Sequence, residues 1–121
     1  MKILIVDDEE DILSSVRLLL EKTGYEVKTA NRGKAALEML SREKFDLVLL
    51  DILMPEMSSV EVLERIRADP RTKDQKVAIF TVVQPSREGE KIIKKLKPVE
   101  YFQKPIDVGD FTRRIKRVLE G

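Results

Sequence analysis

The stretch Ile3-Leu4-Ile5-Val6-Asp7-Asp8 places two carboxylates directly after a short apolar run. This pattern predicts a buried strand that ends in two acidic side chains. Three later strand-like segments also end in polar side chains, at Asp51, Thr81 and Lys104. The carboxyl ends of strands share one edge of an open parallel sheet, and ligands bind in the crevice there. We therefore expect three acids, one hydroxyl and one amine to converge at that edge.

The rest of the chain alternates between short apolar runs and apolar residues at helical spacing. The alternation predicts strands at 2–6, 25–30, 46–50, 77–81 and 100–103, each followed by a helix. With right-handed crossovers this is an α/β fold, a three-layer sandwich of five helices around a doubly wound five-stranded parallel sheet. We expect the flavodoxin-like strand order 2-1-3-4-5, because it makes the first and third strands neighbours at the switch point. Asp7, Asp8 and Asp51 then come from adjacent strands.

Capping residues and apolar faces define the predicted helices. The end signals are Gly24 after the first helix, Asn31 before the second, Ser58 with Glu61 before the third, Ser86 before the fourth, Pro98 after it and Asp107 before the fifth. The inward residues are Ile12, Leu13, Val16, Leu19 and Leu20 in the first helix, Ala35, Ala36, Leu37 and Leu40 in the second, Val62, Leu63 and Ile66 in the third, Ile92, Ile93 and Leu96 in the fourth, and Val108, Phe111, Ile115, Val118 and Leu119 in the fifth.

Composition narrows the function classes. The 121 residues suit one domain, 1–121, with 42% hydrophobic and 37% charged residues and no apolar stretch of membrane-spanning length. The start of the chain becomes acidic too soon for a signal peptide, so a cytoplasmic location is expected. Without cysteine or histidine the chain offers no disulfide, thiolate or imidazole ligand. Any metal must be held by oxygen, which favours magnesium or calcium.

The charge is unevenly spread along the chain. Residues 1–61 carry 8 basic and 13 acidic side chains, whereas residues 62–121 carry 15 basic and 9 acidic ones. Solvated helix faces are the simpler interpretation, and an acidic partner surface for the last two helices is the alternative. Direct nucleic-acid binding would need the basic groups on one face, and we do not expect it.

Each candidate residue has an ordinary structural explanation when taken alone, such as a helix cap for Asp7 or Asp8 and a turn for Asp51. Together, however, three crowded carboxylates repel each other unless a cation intervenes. Magnesium keeps several waters and leaves a position for phosphate, and Lys104 adds an ammonium group, so the pocket suits phosphoryl transfer. No base activates Thr81, so Asp51 is the candidate nucleophile, with Asp7 and Asp8 used on the metal.

Five motifs together resemble the receiver domain of two-component response regulators. They are Asp7-Asp8-Glu9, Leu49-Leu50-Asp51, Met54-Pro55, Thr81 after an apolar strand, and Tyr101-Phe102-Gln103-Lys104-Pro105. The resemblance covers essentially the whole chain. It implies that Asp51 accepts a phosphoryl group from a phosphohistidine on a sensor histidine kinase or a histidine phosphotransfer protein. It implies a signalling domain that promotes its own phosphorylation and dephosphorylation, not a turnover enzyme.

The resemblance also implies roles for the neighbouring residues. The Mg²⁺ ligands would be Asp8, Asp51 and the backbone carbonyl of Leu53, with Asp7 acting through a water. Lys104 would pair with a phosphoryl oxygen, the Thr81 hydroxyl would move to bond the phosphoryl group, and the Tyr101 ring would turn inward. This is a shift between two packings.

The output implied by the resemblance lies on the fourth helix, fifth strand and fifth helix. In this chain the output face carries Lys91, Lys94, Lys95, Lys97, Arg113, Arg114 and Arg117. The implied partner is a downstream protein or a carboxyl-terminal effector domain beyond these residues, and the last helix would also serve a homodimer. No membrane contact is expected.

Several positions depart from the family pattern. Val82 stands where members of the family commonly have a small residue, and Ser59 stands where most have glycine. Lys97-Pro98 stands where many have Gly-Ala. The apolar Leu53 and Val83 flank the approach of water to the phosphoryl group, which predicts a long-lived acyl phosphate.

Three alternatives remain open. A degenerate receiver that only binds partners is compatible with Val82 and Lys97-Pro98, and phosphate uptake at Asp51 would distinguish it. A phosphatase-like enzyme would need a second acid where Leu53 stands. A flavin or nucleotide binder would need a first loop rich in Gly, Ser or Thr, whereas residues 7–11 are five acids.

Overall fold

A five-stranded parallel sheet forms the centre of the computed structural model, which describes residues 1–51, 59–81, 91, 94–95, 97–103 and 106–120, with only the backbone at 59 and 81. Its strands are β1 (Lys2–Val6), β2 (Glu26–Ala30), β3 (Leu47–Leu50), β4 (Val77–Thr81) and β5 (Glu100–Gln103). They lie in the order β2-β1-β3-β4-β5, and all neighbouring pairs are parallel. The predicted strand order is confirmed.

The described residues contain four helices, α1 (Glu10–Lys22), α2 (Gly33–Arg42), α3 (Ser59–Ala68) and α4 (Val108–Glu120). The last of these, α4, is the helix predicted as the fifth. Residues 91, 94 and 95 are helical, where the sequence predicts a further helix. The predicted cap of that helix and its inward residues, and the cap of α3, lie outside the described residues: Ser86, Ile92, Ile93, Leu96 and Ser58.

Helices cover both faces of the sheet, and this explains why the central strands are unbroken apolar runs. Ile3 and Ile5 pack into the core beneath α1 and α4, whereas Leu4 and Val6 pack into the core beneath α2 and α3. All four side chains have no exposed surface. Alternate residues of β1 therefore belong to different cores, as the pleat of a strand requires.

The end of α1 follows the sequence prediction. Gly24 has a positive φ of 103°, and its N–H donates to Glu21 O at 3.0 Å. The Tyr25 N–H donates to Leu20 O at 3.2 Å, which satisfies a second carbonyl at the end of the helix. Because Tyr25 completes this cap, β2 begins at Glu26, one residue later than predicted.

Two predicted helix details are wrong. Arg32, not Asn31, precedes the first residue of α2. The predicted inner face of α2 is confirmed, because Ala36 and Leu40 are buried and the half-buried Ala35 and Leu37 pack against the same core. The 3.6-residue period therefore centres the inner face on Ala36. In α4, Val108 is 57% exposed, because the buried stripe of this helix starts at Phe111. Asp107 does cap the helix, since its Oδ1 accepts the Asp110 N–H at 2.9 Å.

Side-chain contacts close the amino end of the sheet. Lys2 Nζ lies 2.6 Å from Glu43 Oε1 and 5.0 Å from the centre of the Phe45 ring. Hydrogen bonding to Lys2 and Lys28 lowers the pKa of the Glu43 carboxyl.

No helix in the described part of the chain has the length and apolar character of a membrane span.

Arg67, at the end of α3, joins two loops at the same end of the sheet. Its Nη1 donates to Lys73 O at 3.0 Å and to Gln75 O at 2.7 Å, and its Nη2 donates to Lys97 O at 3.2 Å. Lys97 has a φ of 54°, a left-handed conformation that favours glycine. Arg67 thus connects the start of β4 to the turn that enters β5.

Candidate functional site

The carboxyl ends of β1 and β3 bring their acidic residues together. Val6 pairs with Leu50 in the parallel register, so the next residues, Asp7 and Asp51, leave the sheet side by side. The Asp7 N–H donates to Ala30 O at 3.1 Å, and the Asp51 N–H donates to Val6 O at 3.0 Å. Hydrogen bonds to neighbouring strands therefore fix the backbone of both acids.

Asp7, Asp8 and Asp51 form one cluster, in which a carboxylate oxygen from each residue lies within 4.8 Å of the others. Asp7 has no exposed surface and Asp51 is 4% exposed, whereas Asp8 is exposed. One Asp7 oxygen, Oδ1, accepts the Glu9 N–H at 3.0 Å at the start of α1. The convergence of the three acids, predicted from their positions after the strands, is confirmed.

This cluster fits a hard divalent cation. Its donors are all carboxylate oxygens, two in the protein interior and one facing solvent, so water can complete an octahedral shell. In the part of the chain that the structure describes, no other group of three acids, histidines or cysteines is arranged in this way. The acidic cluster is therefore the candidate metal centre.

Of the other predicted site residues, the structure describes only the Thr81 backbone and Tyr101. The backbone of Thr81 ends β4 and pairs with Gln103 at the same edge of the sheet as the acids. The Thr81 side chain, Leu53 and Lys104 lie outside the described residues, as do Val82 and Val83. Tyr101 lies in β5 opposite Ile79, and its half-buried ring packs against the core beneath α2 and α3.

A second polar cluster, which sequence reasoning did not find, joins α4 to β5. We call it the Arg114 cluster, and its members are Arg114, Glu100, Asp110, the Tyr101 backbone and the Phe102 ring. Arg114 Nη2 donates to the Glu100 carboxylate and, at 2.9 Å, to Tyr101 O. Its Nη1 donates to Asp110 Oδ2 at 3.1 Å, and its guanidinium carbon lies 4.4 Å from the centre of the Phe102 ring.

The electrostatics of this cluster follow from its hydrogen bonds. The bond from Arg114 lowers the pKa of the Glu100 carboxyl, and the same bond raises the pKa of the Arg114 guanidinium. Both groups therefore stay charged near neutral pH. One local signal was available in the sequence, the four-residue spacing of Asp110 and Arg114, but the contact with Glu100 depends on packing.

Comparison with known proteins decides the family. Residues 3–116 match the family described as the response regulator receiver domain. The chain belongs to this family. The receiver domain is 33% identical to the alkaline phosphatase synthesis transcriptional regulatory protein PhoP of Bacillus subtilis, over 98% of this chain and 48% of PhoP. It spans about half the length of most curated relatives that it matches.

Solved structures support the same assignment. A receiver domain protein from Methanospirillum hungatei JF-1 superposes with a TM-score of 0.91 at 33% identity, covering 98% of this chain and 93% of that one. The response regulator TrrA of Thermotoga maritima, solved in complex with Mg²⁺-BeF, gives a TM-score of 0.85 at 33% identity, with 98% of each chain covered. This receiver domain is therefore a signalling module of two-component systems, with the predicted α/β fold.

Proposed function

We propose that residues 1–121 are a single phosphoacceptor switch, in which Asp51 receives a phosphoryl group from a phosphohistidine. The donor is a sensor histidine kinase or a histidine phosphotransfer protein. One observation carries this proposal: three carboxylates from two adjacent strands lie within 4.8 Å of one another at the carboxyl edge of the sheet. An arrangement of like charges this close is costly unless it serves a cation.

In the proposed reaction, an Asp51 carboxylate oxygen attacks the phosphorus atom of the donor phosphohistidine. The P–O bond of an acyl phosphate forms as the P–N bond breaks, and the donor imidazole leaves and takes up a proton. Magnesium, when bound, neutralises charge on the phosphoryl oxygens. Asp8, Asp51 and the Leu53 carbonyl would hold it directly and Asp7 through a water, while Lys104 would pair with a phosphoryl oxygen. TrrA, with its Mg²⁺-BeF, is consistent with this metal.

We further propose that phosphorylation shifts the packing around Thr81 and Tyr101, and that the predicted helix before β5, β5 itself and α4 transmit the change. The exposed basic residues of this region include Lys94, Lys95 and Arg117. The recipient would be a downstream protein, a following effector domain or a second copy of the chain. Relatives such as PhoP, about twice as long as this receiver domain, make the effector domain the first candidate.

The test is intact mass after incubation with Mg²⁺ and acetyl phosphate. The wild type is expected to gain one phosphoryl group, and the gain is expected to vanish in EDTA and in Asp51→Ala. Asp74→Ala is the matched control, because Asp74 is an exposed acid outside the acidic cluster and should leave the gain unchanged. A wild type that gains no mass, even from a phosphorylated kinase, would favour the alternative of a phosphorylation-independent binding module.

A further inference from the structure

The strand that carries Tyr101 lies at the edge of the sheet. β5 has β4 on one side only, and an unpaired strand edge leaves backbone groups available to other partners. At Tyr101, side chains bind these groups: the Tyr101 N–H donates to Glu100 Oε1 at 3.1 Å, and Tyr101 O accepts from Arg114 Nη2 at 2.9 Å. Because Arg114 also pairs with Glu100, one ion pair holds both sides of this residue.

Arg114 is itself held in place. Asp110, four residues earlier in α4, accepts from its Nη1 at 3.1 Å, and the guanidinium stacks over the Phe102 ring at 4.4 Å. The Phe102 ring in turn contacts Phe111 edge-on, with 4.9 Å between ring centres. The Arg114 side chain is only 25% exposed. A planar guanidinium can satisfy all these partners at once, whereas an ammonium group cannot. The contacts therefore form a stiff connection from α4 to the Tyr101 backbone.

We propose that Arg114 is a positioning residue for Tyr101, which couples the outer surface of α4 to the phosphorylation site through the Tyr101 backbone. The coupling rests on the proposed function, in which Tyr101 is the switch aromatic. Arg114 favours the arrangement described above, with the Tyr101 ring packed against the core beneath α2 and α3. Loss of Arg114 therefore disfavours the packed ring. In the proposed switch, a phosphoryl group at Asp51 and an inward Tyr101 ring favour each other. Because this coupling is reciprocal, loss of Arg114 also weakens binding of a phosphoryl group at Asp51.

Two measurements on the full chain test the proposal. The first is amide hydrogen exchange at Tyr101 by NMR without ligand, which does not depend on phosphorylation. Arg114→Ala is expected to speed this exchange by about 2- to 10-fold, because Glu100, which accepts the Tyr101 N–H, loses the ion pair that holds it in place. The second is a titration with Mg²⁺ and beryllofluoride followed by fluorine NMR of 3-fluorotyrosine. The chain has two tyrosines, and Tyr25→Phe assigns the signals. The affinity is expected to fall by about 2- to 30-fold in Arg114→Ala.

Arg113→Ala is the matched control. Arg113 also pairs with Asp110, at 2.8 Å, but its side chain is 65% exposed and this ion pair stays within α4. We expect wild-type exchange and affinity in this variant, and partial rescue in Arg114→Lys. Glu100→Ala removes the acceptor of the Tyr101 N–H and should reproduce the faster exchange, even if Arg114→Ala fails to fold.

The outcomes separate the two proposals. Unchanged Tyr101 exchange in Arg114→Ala and Glu100→Ala would overturn the positioning role. Faster exchange with wild-type beryllofluoride affinity would overturn the coupling. A wild type that does not bind beryllofluoride would overturn the proposed function and the coupling with it, while the exchange measurement still decides whether Arg114 positions Tyr101.

Discussion

Replacement of Asp51 by asparagine should stabilise the metal-free protein, although it removes the proposed phosphoacceptor. The charges of Asp7 and Asp51 are both buried, and their oxygens are at most 4.8 Å apart. At this separation two like charges repel by about 3.5 kcal/mol at an effective dielectric constant of about 20, and by about 0.9 kcal/mol at the value of water. The first figure applies to the buried pair of Asp7 and Asp51, and the second applies to Asp51 and the exposed Asp8.

Asp51→Asn removes both repulsions and keeps the size of the side chain. We therefore expect the free energy of unfolding in EDTA to rise by about 2 to 4 kcal/mol, the sum of the two repulsions less relaxation and the loss of the other contacts of Asp51. Magnesium should stabilise the wild type, by about 1.4 kcal/mol at ten times its dissociation constant. It should stabilise the variant much less, because one ligand charge is missing.

Urea unfolding followed by circular dichroism, with EDTA and then with Mg²⁺, measures both effects. Asp74→Asn is the control, because it removes an exposed charge and should change stability by less than about 0.5 kcal/mol. The reasoning is refuted if Asp51→Asn is no more stable than the wild type in EDTA, or if Mg²⁺ stabilises the two proteins equally.

Three further predictions concern the rest of the fold. Arg67→Ala should lower the free energy of unfolding in urea by about 2 to 3 kcal/mol, because three backbone carbonyls lose a charged donor. Lys97→Gly should raise the free energy of unfolding by about 1 kcal/mol, and with it the thermal midpoint, because φ is 54° at this residue. Lys95→Gly, at a helical position, should lower the thermal midpoint. Glu100→Gln should be less stable than the wild type at neutral pH, and the two unfolding free energies should converge as pH falls below about 4.

The direction of the last prediction follows from the pKa. Arg114 lowers the pKa of Glu100 in the folded protein, so the unfolded state binds the proton more readily. The stabilisation by Glu100 is therefore present above the pKa of the unfolded chain and is lost as pH falls through the folded pKa. Urea titrations of both proteins at several pH values would contradict this if the difference between them did not shrink in acid.

Local patterns in the sequence were sufficient for the layout of the domain. Strand positions followed from apolar runs and their alternation with helical spacing. The strand order followed from the rule that ligands bind at the switch point of a parallel sheet, between its first and third strands. The meeting of Asp7 and Asp51 followed from the shared edge of parallel strands. Gly24 marked a helix end because the left-handed turn there favours a residue without a side chain.

Other features needed the tertiary structure. The sequence did not show that the fold buries Asp7 and leaves Asp8, the next residue, exposed. The prediction that Val108 faces the core was wrong, because the helical period does not show whether a residue at the start of a helix is covered by neighbouring elements.

The fold class, the strand order and the convergence of three acids could be read from the chain alone, because they depend on periodicity and on residues next to strand ends. The folded arrangement was needed to show which acids are buried, that Arg67 joins two distant loops, and that Arg114 holds the Tyr101 backbone. The contacts of a long arginine side chain depend on which acceptors the fold places within hydrogen-bonding distance and at a suitable angle. Residues 14 to 30 positions apart carry no local signal of such a contact.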